Sequence, residues 1–145
     1  DGIIAGYPVV DVKATLVDGS FHPVDSSGIC FEIAGGHAFS KGLKEAKPVL
    51  LEPVMKAAIT VNDENTGEIM GDLNAKRGKI LGMNPEGNGT TIIEAEVPQS
   101  EILKYATDLR SITQGRGSYT LEFDHYEEVP AHLLDKVVKV KESTE

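Results

Sequence analysis

The chain has 145 residues, enough for one ordinary domain or two small ones with a real core. Hydrophobic and charged fractions of 40% and 26% are those of a soluble globular protein, and no apolar run nears the ~20 residues that span a bilayer. A net charge of −9 disfavours autonomous nucleic-acid binding, which needs many phosphate contacts, so any contact with RNA is expected to be local.

That charge is uneven: residues 1–48 hold 4 Lys/Arg against 6 Asp/Glu, and residues 49–145 hold 10 against 17. The single Cys30 cannot form an internal disulfide, and no basic-then-apolar leader opens the chain. A cytoplasmic location without membrane partners is the expectation.

Along the chain, Val9–Val17 reads as a strand, with Val10, Val12, Ala14 and Leu16 on one side and Asp11, Lys13 and Thr15 on the other. Asp18-Gly19-Ser20 is a turn signal, and Pro23 disfavours helical geometry at His22. Asp25, Ser26 or Ser27 can cap a helix reaching about Ala46, with Ile29, Ile33, Ala34, Ala38, Leu43 and Ala46 along one face. A division falls near Lys47-Pro48, giving parts 1–48 and 49–145.

After Pro48 the expected order is strand, helix, strand, strand, helix, strand. Met55, Ala57, Ile59 and Val61 alternate with polar or small residues. The helix Thr66–Arg77 turns Ile69, Met70 and Leu73 inward, and Gly78 stops it. Lys79–Asn84 and Thr90–Val97 flank Glu86-Gly87-Asn88-Gly89, a hairpin signal. A second helix from about Ser100 carries Ile102, Ala106 and Leu109, with Ala106, Leu109 and Ile112 on one face, and Ser118–Tyr126 alternates Tyr119, Leu121 and Phe123 with Thr120, Glu122 and Asp124. This is an α+β fold, a ferredoxin-like split βαβ sandwich (βαββαβ), followed by a short helix over Ala131–Val140.

The chain carries little catalytic chemistry. Gly71…Gly78-Lys79 has the wrong glycine spacing for a phosphate loop, and Ile80 stands where Ser or Thr is required. His22, His37, His125 and His132 show no paired ligand spacing, so no metal is expected. Cys30 has no base within reach and reads as a buried small apolar residue. Asp124, Glu127 and Glu128 read as a solvated strand end. Lys76 and Arg77 are either a helix-end charge pair or an RNA contact. Arg110 admits a structural or a functional role. Arg116, in the loop Gln114-Gly115-Arg116-Gly117, is either a solvated cation or a contact for an anion, and His22 is a loop-tip residue.

Longer segments carry a resemblance. A-G-Y-P-V-V-D-V-K from Ala5 and D-G-S-F-H-P-V-D-S-S from Asp18 resemble the final strand, tip loop and helix of domain IV of the elongation factor G family. K-P-V-L-L-E-P-V-M from Lys47 is similar to the entry into its domain V. I-M-G-D-L-N-A-K-R-G-K-I from Ile69 and Y-A-T-D-L-R-S-I-T-Q-G-R-G-S-Y from Tyr105 are similar to that domain's helices.

The resemblance implies the C-terminal part of a translational GTPase that moves tRNA and mRNA through the ribosome. Residues 1–48 would be a strand–helix remnant of the ribosomal-protein-like α/β domain IV, and 49–145 a complete domain V. It implies no catalytic residue in this chain, with GTP and magnesium held by an N-terminal domain outside it. A decoding-site tip loop is implied at Ser20, Phe21, His22 and Pro23, and ribosome contacts at Lys76, Arg77 and Arg116. Partners would be ribosomal RNA and proteins, tRNA and mRNA. The strand Val9–Val17, lacking sequence-adjacent partners, is expected to pair with a second copy. The alternatives are a ribosomal-protection or other translational GTPase paralogue, and a stand-alone ferredoxin-like regulatory module. The motif around His22 favours the elongation factor.

Overall fold

The structure, a computed structural model, describes residues 1–142, with side chains described through residue 137. Two compact units divide the chain: Asp1–Leu50 together with the chain from Val129 onward, and Leu51–Glu128.

The first unit holds helix α1 (Gly28–Glu45). No side chain caps α1: Ser26 Oγ accepts from the His22 N–H, and Ser27 Oγ turns to Cys30. Ile29, Phe31 and Ile33 stay exposed along it. The expected strand Val9–Val17 is not formed. A strand persists only when a neighbour takes up its backbone N–H and C=O groups. No second strand in this unit, among the described residues, offers that ladder. Val10, Val12, Leu16 and Val17 are accordingly exposed on irregular backbone, and the ladder edge expected to pair with a second copy is missing.

The second unit is the expected four-stranded sheet. Strands β1 (Leu51–Asn62), β2 (Lys79–Pro85), β3 (Thr90–Pro98) and β4 (Ser118–Glu128) lie in the order β2-β3-β1-β4, antiparallel throughout. Helix α2 (Thr66–Ala75) follows β1 after a single 3-10 turn. The second crossover is two short helices, α3 (Gln99–Ile102) and α4 (Tyr105–Ile112). A tail helix, α5 (Ala131–Glu142), belongs to the first unit.

Strand alternation builds the core. Ala57, Ile59 and Val61 on β1 meet Ala95, Ile93 and Thr91 directly across β3, and α2 covers them with Ile69 and Leu73. The second crossover differs from its expected face. The break between α3 and α4 lets Ile102 and Tyr105 both enter the core, while Ala106 is exposed. Tyr105 stacks edge-on against Tyr119 at 5.3 Å, so a large aromatic takes the place the small apolar residue was expected to fill. Strand β4 also loses its alternation. A register shift opposite Val54/Met55 pairs Phe123 with Met55 and His125 with Val54, which leaves Phe123 exposed beside Tyr126.

The end of α2 depends on one glycine. The Gly78 N–H donates to the Leu73 carbonyl at 2.8 Å, closing the helix, and a Cβ at Gly78 would stand 2.6 Å from that oxygen. Gly71, inside α2, has open space around it. Gly78→Ala should therefore cost about 1–3 kcal/mol, whereas Gly71→Ala should add about 0.5–1 kcal/mol. Urea denaturation of both variants checks this, and shifts of the same sign would contradict the packing described.

Candidate functional site

Three places carry the expected site residues. The first is the turn after Ser20. Ser20, Phe21, His22 and Pro23 are all exposed. The Ser26 N–H donates to the His22 carbonyl at 3.1 Å, and the His22 N–H donates to Ser26 Oγ at 2.7 Å, so the turn closes on itself. The N–H groups of Val24 and Asp25 both point at His22 Nδ1, at 3.3 Å each, and the Asp25 carboxylate lies 3.3 Å from the same nitrogen. Two backbone N–H groups and a carboxylate thus gather around one edge of the His22 ring. The ring is 64% exposed, next to the exposed ring of Phe21.

The second place is the C-terminal turn of α2. Arg77 adopts φ 58°, a left-handed position that glycine usually fills at this point. Its guanidinium makes a bidentate pair with Glu52 of β1, at 2.6 and 3.0 Å, and reaches Glu101 at 3.2 Å and Ser100 at 3.3 Å. The Glu52 hydrogen bond, then Glu101, raise its pKa against the opposing effect of burial. Lys76 is held equally firmly. Its ammonium lies 2.5 Å from Asp72 and 3.0 Å from Asp108, above the Tyr105 ring at 5.9 Å. Partial burial disfavours the charge, but the two carboxylates outweigh it and the pKa rises. Burial, and then the charges of Asp72 and Asp108, push the Tyr105 phenol up as well. Both cations therefore have an internal role: Arg77 joins β1, α2 and α3, and Lys76 joins α2 to α4.

The third place is the loop after α4. The buried Thr113 hydroxyl donates to the Leu109 carbonyl at 2.7 Å and accepts from the Gly117 N–H at 3.0 Å. Gln114 and Gly115 adopt φ of 52° and 83°, which turns the chain sharply and presents Arg116. Arg116 is 63% exposed, with Glu64 at 3.9 Å, a weak screened contact. Arg110 lines an open hollow of about 270 Å³ beside this loop, with Leu109 and Tyr119. Of the three expected basic contacts, Arg116 is thus the one displayed outward.

Three further side chains differ from their sequence reading. Cys30 is exposed, not buried, because the α1 face that carries it is uncovered. Ser27 Oγ lies 3.2 Å from its sulfur, and hydrogen bonds from the Ser27 side chain and backbone hold the thiol pKa below its usual range. On β4, Asp124 and Glu127 are not merely solvated. They engage the two ring nitrogens of His125, at 2.5 and 2.9 Å, and these bonds, Glu127 first, raise the imidazole pKa.

Residues 49–137 match the family described as Elongation factor G C-terminus, and residues 1–47 match Elongation factor G, domain IV. Elongation factor G of Aquifex pyrophilus is 51% identical over 138 residues, which covers 95% of this chain and 20% of that protein. A crystal structure of a Thermus thermophilus protein superposes with a TM-score of 0.82 at 45% identity, covering 98% of this chain and 21% of the other. The chain thus spans about a fifth of the length of the relatives it matches. Within the described residues, no helix is long and apolar enough to cross a membrane.

The Ser27–Cys30 contact has a measurable consequence. A hydrogen bond to the thiolate lowers the pH at which it forms. In Ser27→Ala the pH profile of Cys30 alkylation by iodoacetamide should move to higher pH. Superimposable profiles would show that Ser27 does not set the thiol's acidity.

Proposed function

The chain belongs to the elongation factor G family, and from that membership we propose that it is the ribosome-engaging C-terminal part of a translational GTPase promoting tRNA–mRNA translocation in the cytoplasm. The observation that carries this reading is the 51% identity extending over 95% of the chain, the tip-loop segment included. GTP and magnesium are assigned to the remainder of the longer protein. This chain's part is binding, not hydrolysis.

The site geometry supplies the chemistry. His22 offers an exposed imidazole whose ring N–H can donate to a phosphate or ribose oxygen of the codon–anticodon duplex. Phe21 beside it offers an aromatic face for a base or sugar. Pro23 and the bonds between His22 and Ser26 hold the loop in shape before it meets RNA, which lowers the ordering cost on binding. Arg116, on a loop fixed by Thr113, supplies a local cation for a ribosomal RNA phosphate. In a chain of net charge −9 such contacts must act through placement, not through a broad basic field.

In the full-length factor, His22→Ala should slow tRNA–mRNA movement by about tenfold or more, the factor for roughly 1.4 kcal/mol. GTP hydrolysis on the ribosome should be nearly unchanged. Rapid kinetics of both steps provides the check, and equal slowing of the two would overturn the role given to His22.

A further inference from the structure

Glu96 on β3 and Asp124 and His125 on β4 each present one ligand atom, all within 4.8 Å of one another. Asp124 and His125 are neighbours in the sequence, but nothing in the sequence spacing brings Glu96 to them. Strands β3 and β4 flank β1, and the three side chains meet across it. The register shift in β4 makes this possible. Strict alternation would put His125 on the face of Phe123, but Phe123 pairs with Met55 and His125 with Val54, so His125 turns to the opposite face, that of Glu96.

We propose that Glu96, Asp124 and His125 form a binding site for a borderline divalent cation of the Zn²⁺ type, which clips edge strand β4 to β3 across β1. One imidazole nitrogen with two carboxylate oxygens suits Zn²⁺; hard cations favour all-oxygen sets, and the softest ones need thiolates. Bond lengths near 2.1 Å place tetrahedral ligand atoms roughly 3.4 Å apart. Small rotations of these side chains close the present spacing to that value and part Nδ1 from Asp124. Two carboxylates neutralise the ion. The fourth position falls to water, as in three-ligand zinc sites.

Glu127 completes the arrangement. It lies 2.9 Å from His125 Nε2, so with Nδ1 on the metal the Nε2–H donates to Glu127, the outer carboxylate that commonly orients a metal-bound histidine. Lys56 and Lys79 are the register partners of Glu96 on its two neighbouring strands, and Glu122 is that of Lys56 on β4. Positive charge at these two register positions opposes a cation at Glu96, so the affinity expected is micromolar and not tighter.

The test uses the 145-residue chain with His22, His37 and His132 replaced by Ala, leaving His125 as the only histidine. Zn²⁺ is titrated by calorimetry, and Co²⁺ is followed by visible absorption. The expected result is one equivalent bound with a micromolar Kd, and a Co²⁺ spectrum of low coordination number. Adding Glu127→Gln should weaken binding roughly 10–100-fold. Glu96→Gln and His125→Ala should each remove the site, and Glu122→Gln should leave it intact. No stoichiometric binding, or binding that survives both Glu96→Gln and His125→Ala, would overturn the proposal.

Discussion

The fork of Arg77 on the Glu52 carboxylate decides how the second unit is assembled and which of its charges face outward. Arg77 sits in a left-handed conformation that costs a residue with a side chain about 1–2 kcal/mol. Two bonds to Glu52, with Glu101 and Ser100 beside them, offset that strain and tie the end of α2 to β1 and α3. A lysine could not substitute, because an ammonium cannot make the planar bidentate pair. The next residue, Gly78, must lack a Cβ so that the chain can pass the Leu73 carbonyl into β2.

With Arg77 and Lys76 committed internally, the candidate contacts that still face outward, among the described residues, are the stiffened turn displaying Phe21 and His22 in one unit and the loop pinned by Thr113 displaying Arg116 in the other. Under the proposed function, an acidic chain that meets RNA through a few fixed groups relies on a larger assembly to bring them into place. That agrees with a chain spanning a fifth of the relatives it matches. The uncovered apolar residues of Val9–Val17 and α1 mark a segment whose sequence anticipates packing and pairing that the first unit does not itself supply.

Local patterning made the second unit legible. Alternation in β1 and β3, the Asn-Gly hairpin and the stop at Gly78 each point to the observed βαββαβ order. What escaped was non-local. Val9–Val17 has the pattern of a strand, yet patterning cannot supply a ladder partner. Period-3 reasoning chose Ala106 over Tyr105, because the break between α3 and α4 shifts the buried face. The register shift that exposes Phe123 and redirects His125 leaves no mark in β4 alone; it exists only in the pairing with β1. Lys76-Arg77 reads first as a helix-end charge pair, yet an RNA contact stays open until Glu52 and Asp108 appear beside it. The one available hint was Thr113 before Gln114-Gly115, a small hydroxyl placed where a loop needs an internal anchor.

The most direct measurement is a double-mutant cycle between Arg77 and Glu52, with the stabilities of Arg77→Ala, Glu52→Ala and the double variant determined in urea. If the pair closes α2 onto β1, the two substitutions should couple by roughly 1.5–3 kcal/mol, the range for a partly buried, charge-assisted contact. Coupling of about 0.5 kcal/mol or less, as in an exposed surface pair, would contradict the account and return Arg77 to the set of outward-facing cations.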